Sequence, residues 1–252
     1  MSEDEAVLTE IRGRVLLITL NRPEAMNAVN TDLAQGLLAA IEQLDGDDGL
    51  TAGVLTGAGR GFCAGMDLKA FASGGPPKGF EGFLADGARK PLIAAIEGFA
   101  LAGGLEVALT CDLLIAAEGA KIGIPEAGVG LLAAGGALMR LPRRVPYSVA
   151  MELALTAEPI SAEQAHQHGL ISHVAPKGAT VEAAMGLAER IAKNAPLSVA
   201  LSKQMIRDQQ GLTEAEFWEM QRPHMATVFR SEDALEGAMS FAEKREPQWK
   251  GR

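Results

Sequence analysis

Cysteine, aromatic side chains and net positive charge are scarce in this sequence, and each shortage removes a class of protein. The 252 residues hold two cysteines, Cys63 and Cys111. Two thiols are too few for the disulfide framework of a small secreted domain or for a zinc knuckle. Aromatics are 4% of the chain, while 29 residues are glycine. The core must therefore be built from Ala, Leu, Val and Ile, with many tight turns. Lys and Arg number 23 against 32 Asp and Glu, a net charge of −9. Such a balance repels phosphate backbones and argues against nucleic acid as a partner. The opening Met1-Ser2-Glu3-Asp4-Glu5 is acidic. It lacks the basic segment of a secretion signal, which points to a cytoplasmic protein. Nucleotide signatures are missing too. Gly57, Gly59 and Gly61 have the wrong spacing for a dinucleotide fingerprint, and Gly103-Gly104 lacks a third glycine. There is no phosphate-binding GxxxxGK[ST] loop and no GxSxG nucleophile elbow.

The length suits one domain, or one domain with a smaller appendage. Residues 92–117, LIAAIEGFALAGGLEVALTCDLLIAA, are long enough to span a bilayer. Glu97, Glu106 and Asp112 interrupt that run, and Gly98, Gly103 and Gly104 break it further. It reads as a buried strand, a glycine turn, a short buried helix and a second strand, so no membrane is implied. Apolar β-branched runs predict strands at 15–20, 52–56, 92–96 and 113–117. Leu33, Leu37, Leu38, Ile41 and Leu44 recur at helical spacing, with Asn30 or Thr31 as N-cap. Strands alternating with helices indicate an α/β topology with crossovers. After Pro142 the pattern becomes helical, over 146–155, 161–168, 180–194, 197–210, 213–229 and 232–244. Ser161 with Gln164 and Thr213 with Glu216 fit capping boxes. Gly74-Gly75-Pro76-Pro77 reads as a mobile loop.

Two glycine turns and two carboxylates are the places for chemistry. Phe62 to Leu68 is one turn, and Leu101 to Glu106 leads a strand through glycines into a helix. The first N–H groups of a helix have no intrahelical acceptor and sit at its positive end, so such a turn can hold an oxygen that becomes negative. Gly65 allows a second N–H to approach. Both segments read equally as plain tight turns. Glu106 lies within the apolar run, and Glu126 follows Pro125. Burial would raise a carboxyl pKa and let it carry a proton near neutral pH. The competing roles are an acid that suits a helix N-terminus for Glu106 and a surface loop residue for Glu126. His166, His168 and His173 lack metal-ligand partners at ligand spacing, and no metal is expected. Cys63 has no His placed to activate it. Asp112 reads as a structural hydrogen-bonding residue, and Arg140, Arg143 and Arg144 as a helix C-terminal or subunit-contact feature.

At these residues the sequence resembles the enoyl-CoA hydratase/isomerase, or crotonase, family. Asn21-Arg22-Pro23-Glu24-Ala25-Met26-Asn27-Ala28 is similar to the family's opening motif. Phe62 to Leu68 resembles its first oxyanion segment, and Ala102 to Glu106 with Cys111-Asp112 the second. Pro125-Glu126 lies at the family's spacing, and Met239 to Arg245 resembles its C-terminal helix. The resemblance implies a spiral of ββα units over residues 1–195 and a helical oligomerisation region over 196–252, assembled as a trimer or a dimer of trimers. It implies that Met66 and Gly103 N–H bind the oxygen of an acyl-CoA thioester. Ala64, Gly65, Asp67 and Leu68 then border the coenzyme A path, Ala25, Met26 and Ala28 lie opposite, and Gly104 sits in the second turn. Phe241 and Lys244 reach a neighbouring subunit's coenzyme A. Coenzyme A enters only as part of the substrate, and no cofactor is bound permanently. Family hydratases carry both Glu106 and Glu126, whereas isomerases usually keep one. The implied reaction is reversible syn hydration of a 2-enoyl-CoA. Ala134 departs from a family glycine that helps hold the water, which leaves room for a specialised dehydratase such as a carnitinyl-CoA-like one. An enoyl-CoA isomerase and a non-catalytic acyl-CoA binding protein also compete with hydration.

Overall fold

The run VLLITL forms strand β2 (Val15–Leu20), paired antiparallel with β1 (Val7–Arg12). Helix α1 (Thr31–Gly46) follows, and the Asn30 side chain accepts the Leu33 N–H at 2.9 Å as its N-cap. In this computed structural model residues 5–75 and 77–252 are described. Residues 1–4 of the acidic opening and Pro76 of the glycine-proline stretch lie outside them. The chain continues through β3 (Ala52–Gly57), α2 (Leu68–Gly74), α3 (Phe80–Asp86), β4 (Leu92–Ile96) and β5 (Phe99–Leu101). Then come α4 (Gly103–Thr110), β6 (Leu113–Ala117), β7 (Lys121–Gly123) and a 3-10 turn at Pro125–Val129. The remainder is α5 (Ala137–Arg144), α6 (Tyr147–Thr156), β8 (Ile160–Ser161), α7 (Ala162–Gln167), β9 (His173–Ala175), α8 (Thr180–Ala192), α9 (Pro196–Asp208), α10 (Glu214–Phe229) and α11 (Glu232–Glu243).

The strands form two sheets. The larger has the order β1-β2-β3-β4-β6-β9, parallel beyond the first hairpin, and the smaller has the order β5-β7-β8. The chain visits them alternately. β4 leads to β5 and then α4, and β6 leads to β7 and then the 3-10 turn. After β3 the chain makes a parallel bridge from Cys63 to Ala100, at the position a strand would occupy. Repeated strand, strand, helix turns make a spiral, as the family resemblance implied.

Residues 92–117 divide as expected into strand, glycine turn, helix and strand, with β5 as an addition. Among the described residues no helix is long and apolar enough to cross a membrane. Strand β1, the two- and three-residue strands, and helices α2 and α3 were not expected from the sequence, and α5 was foreseen only as a helix end at the arginine cluster. Two or three residues carry no readable period, and α5 contains Pro142, where the pattern had suggested only a change of character.

Central parallel strands are buried on both faces, and alternation separates two cores. Leu16, Ile18 and Leu20 face the spiral interior with Leu33, Leu37 and Leu44 of α1. Val15, Leu17, Val54, Ile93, Ala95 and Ile115 face Ala184, Met185 and Ala188 of α8. Each fully buried Leu, Ile or Val contributes about 1.5–3 kcal/mol. Helices α9 and α10 bury no residue within the chain. α9 is nevertheless tied to the spiral: Lys203 Nζ lies 2.7 Å from Asp112 Oδ2 and donates to Lys90 O at 2.8 Å.

Candidate active site

Parallel pairing of β5 with β7 sets Leu101 opposite Gly123, and Ala102 N–H donates to Gly123 O at 3.0 Å. The helix that starts after β5 and the 3-10 turn that starts after β7 therefore rise side by side. Glu106 sits in the first turn of α4, and Glu126 follows the Pro125 that opens the 3-10 turn. Both are buried, at 5% and 9% exposure. The surface-loop reading of the Glu126 side chain is thereby overturned: it is buried, although Ala127 to Val129 of the same turn are exposed.

The two carboxyl groups differ in their surroundings. Glu106 Oε1 accepts the Ala137 N–H at 3.1 Å. Burial raises its pKa, while the amides of Ala137 and Gly135 and the Arg140 guanidinium oppose that rise. Burial also raises the pKa of Glu126, and the negative charge of Glu106 raises it further, against a contact with its own backbone N–H. Glu126 Oε2 is buried without a hydrogen-bond partner among the described residues. Burial thus pushes both carboxyls toward carrying a proton, and the 135–137 amides and a cation oppose this at Glu106 alone.

Beside the carboxyls two glycine turns touch. Val29 pairs with Gly65 O and Asp67 N, at 2.8 and 2.9 Å, which directs the amide of Met66 away from that bridge. Gly103 N–H is the first amide of α4. Neither amide donates to an acceptor among the described residues. The turns are close enough that a Cβ at Gly103 would lie 3.4 Å from Met66 N, and one at Gly65 3.2 Å from Gly103 N. Gly65 has φ +110°, in the region that favours glycine. Ala102, before the helix, holds φ +52° with a side chain, a conformation that costs on the order of 1–3 kcal/mol and persists where surrounding structure enforces it. Gly103 and Glu106 are three residues apart on the helix, so amide and carboxyl share one face.

A family model described as enoyl-CoA hydratase/isomerase matches residues 10–252. The chain belongs to the enoyl-CoA hydratase/isomerase family. An enoyl-CoA hydratase of Mycobacterium tuberculosis is 41% identical over 97% of this chain and 96% of its own length. A carnitinyl-CoA dehydratase of Proteus mirabilis is 39% identical over 96% of this chain and 97% of its own. A crystal structure of enoyl-CoA hydratase from Mycobacterium tuberculosis superposes with a TM-score of 0.95 at 49% identity, covering 99% of this chain and 100% of that one.

The other residues singled out from the family resemblance lie in several places. Ala25, Met26 and Ala28 adjoin Ala64, Gly65 and Asp67: Ala64 N–H donates to Met26 O at 3.1 Å. Between them, Arg22 lies 3.2 Å from Asp67 Oδ2 and donates to Ala28 O at 2.5 Å. The Asp67 carboxylate also accepts the Ala70 N–H at 3.2 Å, so its polar atoms are engaged within the chain. Leu68 opens α2 and is exposed. Gly104 must be glycine for close approach, since a Cβ there would lie 2.2 Å from Cys63 O. Ala134 is exposed, and its neighbour Ala133 is the buried one of the pair. Phe241 on α11 and Lys244 at its C-cap stand apart; α11 packs on α10, and Phe241 is 88% exposed.

The residues set aside have structural roles. Cys63 is buried, its thiol is pushed up to about 12, and it donates to Asn27 O at 3.0 Å. His166 Nδ1 lies 2.8 Å from Ile171 O. Asp112 accepts the Leu92 N–H at 2.8 Å. Arg144 donates to Leu109 O and Cys111 O, at 3.0 Å each, at the end of α4. Arg143 and Arg144 lie in the last turn of α5, as the helix C-terminal reading of the cluster had it, but Arg140 does not. It lies mid-helix in α5 and donates to Leu84 O, Ala85 O and Gly135 O. Gly135 and Ala137 were not foreseen as partners of Glu106. The only signal for them was the Gly135-Gly136 pair before a helix.

Proposed function

We propose that the protein catalyses reversible hydration of a 2-enoyl-CoA thioester to a 3-hydroxyacyl-CoA. The observation that carries this is the pair of buried, unequal carboxyl groups beside two undonated amides. In this reading the thioester oxygen accepts from Met66 N–H and Gly103 N–H. Glu106, ionised, takes a proton from a water as its oxygen bonds to the β-carbon. Glu126, protonated, delivers a proton to the α-carbon on the same face. The enolate charge resides on the thioester oxygen until that second transfer. The water's proton ends on Glu106 and the proton of Glu126 on carbon, so a proton must pass back between the carboxyls before the next turnover. The two preorganised amides do most to stabilise that charge: losing one typically costs about 10²–10³ in turnover. Each positioned acid or base adds about 10²–10⁴.

Coenzyme A enters as part of the substrate, along the adjoining 25–28 and 64–68 segments. Residues 196–252 serve as the oligomerisation region of a trimer or dimer of trimers. Exposed Trp218, Met225 and Phe229 on α10 support that role, because apolar faces of this kind are normally covered. Loss of enoyl-thioester absorbance with crotonyl-CoA and longer 2-enoyl-CoAs tests the activity. Glu106→Gln and Glu126→Gln each lower turnover by about 10²–10⁴. Wild-type rates in both variants refute the mechanism. Solvent oxygen in the product separates hydration from isomerisation.

A further inference from the structure

Arg140 is the cation that faces Glu106, and it makes no ion pair with it. Its guanidinium is instead spent on backbone oxygens of two separate segments. Nη2 donates to Leu84 O and to Ala85 O, the latter at 3.0 Å, near the end of α3. Nη1 donates to Gly135 O at 3.3 Å, in the turn before α5. The same turn presents the Gly135 and Ala137 amides to Glu106. Leu84 belongs to that wall as well. The point where a Cβ on Gly135 would sit is 2.6 Å from Glu106 Oε2 and 3.0 Å from Leu84 Cδ1.

We propose that Arg140 is a positioning residue for Glu106, clasping α3 to the 135–137 turn so that the amides and the Leu84 side chain close around the carboxyl group. This rests on the reading of Glu106 as a proton-transfer group. An arginine suits the task because its planar fork can donate to several carbonyls at once. With those donors committed to carbonyls, its charge stays near Glu106 without neutralising it in a direct pair. Of the elements packed on α4, β5 has no titratable residue, α3 carries Glu81 and Asp86, both exposed, and α5 carries Arg143 and Arg144 besides Arg140, while the 3-10 turn contributes Glu126. The positive charges of Arg144, of Arg207 on α9 and of Arg143 also act on Arg140.

The test compares wild type with Arg140→Met, which removes charge and donors, and Arg140→Lys, which keeps the charge. One readout does not depend on turnover. Carbon NMR of the Glu106 carboxyl, assigned through Glu106→Gln, follows its titration. The methionine variant should titrate at higher pH, because a nearby cation has gone, and the lysine variant close to wild type. The second readout is kinetic. With crotonyl-CoA, kcat should fall about 10–100-fold in Arg140→Met, the penalty of a misplaced catalytic group, while binding of unreactive butyryl-CoA stays as in wild type. An unchanged titration together with a wild-type kcat overturns the proposal. If Arg140→Met does not fold, Arg140→Lys decides: a lowered kcat with butyryl-CoA binding intact supports the clasp, and a wild-type kcat overturns it. A wild-type protein that turns over no 2-enoyl-CoA refutes the functional reading instead, and the NMR titration still reports on the clasp.

Discussion

Gly135 packs directly on Glu106: a Cβ at residue 135 would lie 2.6 Å from Glu106 Oε2 and 2.8 Å from its carboxyl carbon. No side chain fits there unless the carboxyl group moves. Gly135→Ala should therefore lower crotonyl-CoA turnover by about 10²-fold, through displacement of the acid–base group. Overpacking should cost about 1–3 kcal/mol of stability. Steady-state rates and urea denaturation check the two effects, and a variant with wild-type turnover would contradict the placement of Glu106.

The raised pKa of Glu126 also has a thermodynamic consequence. Its folded value lies above the unfolded value, which is about 4.3 for Glu. The stability it contributes is present in full below that unfolded value and is lost as pH rises through the folded one. Glu126→Gln removes this loss. The variant should gain thermal stability over wild type as pH climbs from about 4 to neutrality, while losing activity. Melting curves of both proteins across that range check the sign.

Both thiols are buried, and burial pushes each up to about 12. A thiolate is needed for attack on a disulfide reagent. Native protein should therefore release almost no colour with Ellman's reagent, and unfolded protein should titrate two thiols per chain. Rapid labelling of Cys63 in the native state would contradict its packing against the first glycine turn.

Lys203 is the ammonium that meets Asp112, at 2.7 Å and with 9% of its side chain exposed. Lys203→Met removes that partner and the donor to Lys90 O. Asp112 is 25% exposed and keeps the Leu92 N–H, so losing the ion pair and one hydrogen bond should cost about 1 kcal/mol. Because the pair joins α9 to the start of β6, the loss should also loosen the C-terminal helices. Denaturation midpoints and amide exchange of α9 check this.

The local elements were legible from residue order alone where periodicity was long enough to read. Strands at 15–20, 92–96 and 113–117 and the helices from 180 onward came from burial patterns that each segment carries within itself. The glycine turns and Glu106 could likewise be picked out, because their residue types announce a sharp bend or an ionisable group in an apolar run, whereas Glu126 was marked by the preceding Pro125 and the family's spacing. Pairing was not written there. Glu106 and Glu126 become neighbours only because β5 and β7 run parallel with Leu101 opposite Gly123. That register depends on both sheets being filled at once. The contrast between the two acids is also a property of the folded chain: one meets the amides of 135–137 and Arg140, and the other keeps a bare oxygen. Arg140 shows the limit most clearly. Its charge was visible, but its place between Leu84 O and Gly135 O depends on α3 and α5 packing on α4, and contacts between segments so distant in sequence arise only when the whole spiral has closed.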